Sequence, residues 1–315
     1  MMYIYFAITL TGMILQLIGA DILVKQSVCF AKITKIPKVY IGVLLCGIVP
    51  RTGILIPQLW KWKTGYYDTF SFSMVTSLME LLLILGIAAM ICEIKIPRGI
   101  IQKDFSYMIL VSIVLLYLSA DYLFHGKHSI RVISQVDGAI LIAFFIYYLF
   151  LIGKITFLGI KNSENVKIPS DFRLWCGIGV VILIVSEIIL LCFGQKTGNY
   201  VLDKCGMKNL RFVVNDILTF LPCFLISIWA VRREQTDIMV GNVLGNIIFY
   251  ITGEVGIMSL IHPVMVSISE IYEMILMCIC SIVVWGFGYS KNKWNRIHGC
   301  VMVTIFVTYI IMKLV

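Results

Sequence analysis

Charge is what this chain has little of. Only 14% of its 315 residues are charged, with 17 acidic side chains in all, whereas 60% are hydrophobic and the mean hydropathy is +0.97. Soluble globular domains carry roughly 25% charged residues, so this balance excludes a soluble domain and points to an integral membrane protein. The short motifs of catalysis are missing too. There is no glycine-rich phosphate loop, nucleophile elbow or zinc-ligand spacing, and an enzyme is not expected. The histidines His125, His128, His262 and His298 fall at loops or segment boundaries, with no carboxylate at ligand spacing. The first apolar segment has neither a basic leader nor an A-x-A cleavage site, which reads as a retained helix rather than a signal peptide. Basic residues outnumber acidic ones by nine, but they are spread among loops and not gathered on one face with aromatics, so no nucleic-acid partner is expected.

What fills the chain is apolar sequence. A hydrocarbon core about 30 Å thick needs roughly 20 helical residues per crossing. Ten segments meet that length: roughly 4–24, 39–60, 69–92, 106–124, 137–159, 173–194, 211–231, 238–261, 265–288 and 298–314. The lipid bilayer is therefore the first partner. Lysine and arginine fall sixteen to one side and nine to the other when loops are assigned alternately, with Arg51 inside a span. The excess belongs inside, which places both termini outside, in a plasma membrane. The ten cysteines are scattered and mostly within spans, where a small apolar residue suffices. Cys278 and Cys280 point to different helix faces, so neither a metal pair nor a disulfide is expected.

Polar groups inside the spans are the informative residues. Thr69, Ser73, Thr76, Ser77 and Glu80 share one face of the third segment, and Asn242, Asn246, Tyr250 and Glu254 share one face of the eighth. Such stripes face protein or water rather than lipid. Pro50 with Gly53, and Pro222, interrupt the second and seventh segments and free backbone carbonyls that a membrane tolerates only against protein, water or an ion. Arg51 sits mid-span, where an arginine costs about 2.5–3.5 kcal/mol unless it pairs or reaches water. Glu80, about 18 Å into its helix, is the first expected partner, then Glu254 and Asp216. Glu187 stands in the sixth segment without a motif around it and is expected to pack against a basic group.

The order of these features repeats. GADILV at 19–24 precedes KIPKVYIG at 35–42, Gly65 and Asp68 precede the third segment, and the second half runs from Met207 through Pro222 to Asp237 and GNVLGN at 241–246. SQVDG at 134–138 and NRIHG at 295–299 each open the last segment of a half. In these motifs the chain resembles the cation/calcium exchanger superfamily, the sodium/calcium exchanger membrane region. The resemblance implies an all-α membrane protein of ten helices in two inverted five-helix repeats, 1–159 and 173–315, joined by a polar linker at 160–172 with Asn162, Ser163, Glu164 and Asn165. It further implies secondary transport by cation antiport, with Na+ or Ca2+ as transported ions and no cofactor.

The family's ligand pattern is altered in this chain. Where the resemblance expects acid or amide ligands, the sequence has Ile54, Leu81, Cys223 and Tyr250, and an arginine stands beside Pro50. The expected polar lining is Arg51, Thr52, Ser77, Glu80, Thr219, Asn242, Asn246 and Glu254. Two functions follow from it. One is antiport on a rebuilt site, with Glu80 and Glu254 supplying the charge. The other is a transport-inactive relative acting as a scaffold, immunity factor or regulator, in which Arg51 stays paired with a carboxylate.

Overall fold

A computed structural model describes residues 2–34, 36–63, 69–120, 132–161, 170–206 and 211–314. Within them ten long helices follow one another: α1 (Met2–Thr34), α2 (38–63), α3 (69–91), α4 (Arg98–Ser119), α5 (Gln135–Lys161), α6 (170–204), α7 (Arg211–Arg232), α8 (Thr236–Ile261), α9 (Ile268–Lys291) and α10 (Arg296–Leu314). Helix is the form that apolar sequence takes when lipid offers the backbone no hydrogen-bond partner. Nine of the ten are apolar enough to cross a membrane by composition among the described residues. The other, α7, has 22 residues, about 33 Å at 1.5 Å per residue, and is long enough as well. The expected ten spans are thus all helical. The linker residues Asn162 to Asn165, together with Gly65, Asp68, Asp121, His125, His128 and Met207, lie outside the described residues.

Two ends differ from the sequence reading. GADILV does not close the first helix, because α1 continues to Thr34 through Lys25 and Lys32 and reaches 33 residues. Likewise the sixth helix runs to Lys204 instead of ending near 194. Neither extension contains a proline or a β-branched run to stop it, and charged side chains at a helix end reach water while the helix continues.

The described chain divides into two compact units, Met1–Phe72 with Phe150–Asn246, and Ser73–Leu149 with Ile247–Val315. In the first unit, α1 and α6 run antiparallel at close range. A side chain added at Gly12 would meet Ile189 and Leu190, at Gly19 Leu183 and Ile182, and at Gly179 Ile22. A second crossing in this unit brings α2 and α8 into backbone contact. A Cβ on Gly42 would stand 2.5 Å from the Ile238 carbonyl oxygen, on Gly47 2.8 Å from that of Asn242, on Gly241 2.1 Å from that of Val39 and on Gly245 2.5 Å from that of Val43. Four glycines, two per helix, are thus what lets these backbones touch. Ile54 of α2, Leu190 and Leu191 of α6 and Leu218 of α7 form an apolar cluster beside the crossing helices. Pro50 follows a π-helical stretch, Gly42–Ile48, whose wider turn accommodates the missing N–H.

In the second unit the repeat becomes visible as geometry. Strand β1 (Ile94–Lys95) pairs antiparallel with β4 (Lys293–Trp294), and β2 (Val132–Ile133) with β3 (Val264–Met265). Gly86 of α3 meets Gly299 of α10, and Gly138 of α5 meets Gly256 of α8. The first members correspond at a fixed offset: Gly86 to Gly256 and Ile94 to Val264 are each 170 residues apart. So are the π-helical stretches Met79–Ile84 and Phe249–Glu254. Their partners, Gly138 to Gly299 and Val132 to Lys293, are 161 apart. SQVDG and NRIHG form the same helix start. Asp137 accepts from the Ser134 backbone N–H at 2.8 Å, and Nδ1 of His298 accepts from the Asn295 N–H at 3.3 Å. Five spans per repeat, an odd number, give the two repeats opposite orientations in the membrane. Neither compact unit follows the divisions expected at 159 and 173, because each joins two segments that are separated in the chain.

Candidate functional site

The expected lining residues divide between the units. Arg51, Thr52, Thr219, Asn242 and Asn246 belong to the first, and Ser77, Glu80 and Glu254 to the second. All but Thr52 are buried. The Thr52 hydroxyl donates to the Val49 carbonyl at 2.6 Å, in the turn that follows Pro50.

In the first unit Asn242 organises the polar groups. Its Nδ2 donates to the Cys223 carbonyl and to Ser227 Oγ, both at 2.9 Å, and lies 3.3 Å from Cys223 Sγ. Asn246 Nδ2 in turn donates to the Asn242 carbonyl at 3.0 Å and reaches Asn242 Oδ1 at 3.1 Å. This chain ties α8 to α7 one residue past Pro222, where the helix backbone already lacks a donor. Cys223, read from the sequence as a lost ligand position, contributes its carbonyl instead.

Arg51 of α2 is 1% exposed. Glu187 is itself 1% exposed, and its Oε2 accepts from Gln16 Nε2 of α1 at 2.6 Å. The sequence reading expected Glu187 to pack against a basic group; the partner the structure gives it is the Gln16 amide. It missed Gln16 altogether. The signal for both was an isolated polar residue in each of two glycine-bearing helices, which the packing of Gly12 and Gly19 brings together.

In the second unit Thr76, Ser77 and Glu80 of α3, and Tyr250, Thr252 and Glu254 of α8, are all buried. The side chains of Thr69 and Ser73 lie outside the described residues. Glu80 and Glu254 both sit in π-helical stretches, Met79–Ile84 and Phe249–Glu254, a distortion frequent at functional sites. The 170-residue offset puts Glu80, not Leu81, opposite Tyr250, and Thr76, not Ser77, opposite Asn246. At this offset an acid, Glu80, corresponds to Tyr250 of the second repeat. Among the described residues no three His, Cys, Asp or Glu side chains gather as a metal cluster. In this unit the hydroxyls of Thr76, Ser77, Tyr250 and Thr252 are buried in the same two helices as the carboxylates, and oxygen ligands are what hard cations favour.

Glycine crossings, paired π-helical stretches and a repeat built on ten spans define a membrane transporter fold, and comparison with known proteins gives the family. The sodium/calcium exchanger protein family profile matches residues 4–154 and 212–315, and the chain belongs to that family. Its members are secondary transporters, not enzymes. The chain is 25% identical over 274 residues to the inner membrane protein YrbG of Escherichia coli K12, covering 82% of this chain and 80% of YrbG. It is 21% identical to the putative antiporter CaxA of Alkalimonas amylolytica, covering 95% of both. A solved structure of the sodium-calcium exchanger NCX_Mj soaked with Na+ superposes with a TM-score of 0.78 at 20% identity, over 98% of this chain and 99% of that one. That likeness establishes the fold.

Proposed function

We propose that the chain is a cation antiporter working by alternating access, with an ion site rebuilt around Glu80 and Glu254. The observation that carries this reading is the burial of both carboxylates, 0% and 2% exposed, in the paired π-helical stretches of α3 and α8. Buried acids in membrane helices mark ion or proton pathways by default. In the second unit Ser77 adds a buried hydroxyl to the candidate lining; in the first unit Arg51, Thr52, Thr219, Asn242 and Asn246 are its candidate polar residues. The name of CaxA and the function of NCX_Mj support antiport of small cations, Na+ and Ca2+ first among them. The protein resides in the plasma membrane with both termini outside, as the excess of basic residues in alternate loops suggests.

Sodium-gradient-driven calcium uptake into vesicles containing the purified protein tests the reading. Glu80→Gln and Glu254→Gln should each abolish uptake while leaving the protein folded. Normal uptake by both variants would remove these carboxylates from the site. The burial of Arg51, a fixed cation only 1% exposed, favours a second reading, a transport-inactive family member that serves a partner protein. It predicts background flux in the unmodified protein and in Arg51→Ser alike, and any sodium-dependent flux in the former rules it out.

A further inference from the structure

We propose that the crossing of α1 and α6 holds a bound proton: Glu187 is a carboxylic acid whose O–H closes a two-way hydrogen-bonded pair with the Gln16 amide. The inference stands on the first unit alone and goes beyond the antiport reading, because neither residue belongs to the lining around Glu80 and Glu254. Gln16 Nε2 gives its N–H to Glu187 Oε2 at 2.6 Å. Gln16 is 0% and Glu187 1% exposed. Their other oxygens, Gln16 Oε1 and Glu187 Oε1, are both buried without a hydrogen-bond partner among the described residues. An ionised carboxylate and an amide oxygen only accept, so neither can satisfy the other. One proton on Glu187 Oε1 changes that. The acid then donates to the amide oxygen while its Oε2 accepts from the amide N–H, and both leftover oxygens gain a partner. Turning the amide over leads to the same proton. Its oxygen would then stand 2.6 Å from Glu187 Oε2, a length that two acceptors reach only with an O–H between them.

Apolar packing flanks the pair on both sides. Gly12 and Gly19, one turn either side of Gln16, bring α1 against Ile189 and Leu190 and against Leu183 and Ile182 of α6. Along α1 no charged residue precedes Asp21, which is engaged by Lys25 and Arg233, and between Arg173 and Lys196 of α6 Glu187 is the only one. On the other helices packed against α6, the buried charged residues are Arg51 of α2 and Asp216 of α7, and neither hydrogen-bonds to the two leftover oxygens. Those two are of opposite formal charge, so an ionised Glu187 would add a further, uncompensated charge to the interior of the unit. The neutral acid adds none. Loss of the proton would set a carboxylate oxygen and an amide oxygen side by side at the same crossing and loosen α1 from α6. The proton is thus the clasp between these two helices.

The experiment is infrared spectroscopy of the purified protein in lipid at neutral pH, with the spectrum of Glu187→Gln subtracted. The expected result is a carboxylic-acid carbonyl band that the unmodified protein has, the variant lacks and deuterium oxide moves to lower frequency. Absence of the band would overturn the proposal and leave a water molecule or a cation as the partner of both oxygens. Melting of the variants supplies the second readout. Glutamine has the shape of the neutral acid and carries an N–H where the acid has its O–H, so Glu187→Gln should melt within about 2 °C of the unmodified protein. Gln16→Leu takes both partners from the acid and should melt about 5 °C lower. Unchanged melting of Gln16→Leu, or a fall in Glu187→Gln as large as in Gln16→Leu, would overturn the pairing, and a Glu187→Gln that does not fold counts against it in the same way. Should Gln16→Leu not fold, the infrared band and the Glu187→Gln melt decide alone. Neither readout measures transport, so their failure is distinct from failure of the antiport reading.

Discussion

Alanine at Gly241 should be among the most damaging single-methyl changes in this protein. The added Cβ would lie 2.1 Å from the Val39 carbonyl oxygen, 2.9 Å from the Val43 nitrogen and 3.0 Å from the Gly42 Cα, all of them backbone atoms. No rotamer relieves such a clash. Ordinary contact begins at 3.4 Å, so α2 and α8 must part by about 1.3 Å along the direction of that carbonyl. Parting them strips dispersion contacts from Gly42, Gly47 and Gly245 as well, since each depends on the same approach. Overpacking of a core costs about 1–3 kcal/mol, and a backbone-to-backbone clash belongs at the upper end, near 3 kcal/mol. For a chain of this size that corresponds to a fall of roughly 6–12 °C in melting temperature. The control is Gly177→Ala in α6, where an added Cβ meets nothing within 4 Å and helix propensity favours alanine by up to about 1 kcal/mol. Melting of both variants in detergent, followed by the loss of the monodisperse peak, checks the reasoning. Equal melting temperatures for the two would refute it.

Three further outcomes are expected. Trp294 is fully buried, stacks edge-on against Phe105 at 5.4 Å and donates from Nε1 to the Val284 carbonyl at 3.2 Å, so Trp294→Ala should cost about 3–5 kcal/mol, read from the same melts. Asn242→Leu leaves the Cys223 carbonyl and Ser227 hydroxyl without their donor and should cost about 1–3 kcal/mol; an unchanged melt would show that these groups find other partners. Glu93 lies between α3 and α4 in an exposed pair with Lys293 at 2.6 Å, which holds its carboxyl below the usual range. The stabilisation from that pair is present above the ordinary carboxylate value and lost as pH falls through the lowered one, so Glu93→Gln should flatten the acid side of a melting-temperature profile.

Helix existence was legible because apolar length is a direct consequence of bilayer thickness, and all ten spans follow from it. Helix ends were not, since Lys25 and Lys32 read as loop residues although a helix leaving the membrane keeps its hydrogen bonds in water. The glycines of GNVLGN were legible as part of a repeated motif, and the structure shows that they meet Gly42 and Gly47 across the α2–α8 crossing. The π-helical stretches were not legible, because Met79–Ile84 looks like any apolar run. Arg51 was visible as an expensive residue in need of an anion. The Gln16–Glu187 hydrogen bond was harder to see, because its partners lie 171 positions apart and outside any motif, and only packing brings them together.

The strand pairs carry a consequence for how the chain is made. β1 awaits β4 and β2 awaits β3, and their partners lie in the later repeat, with Ile94 opposite Trp294 and Val132 opposite Met265. Translation at about 5–20 residues per second separates Ile94 from its partner by roughly 10–40 s. Over that interval the nascent first half sits in the bilayer with Gly86, Gly138 and both strands unmatched. A ribosome stalled, or a gene cut, between the repeats would therefore release a half-protein whose exposed edges suit only its missing sequel.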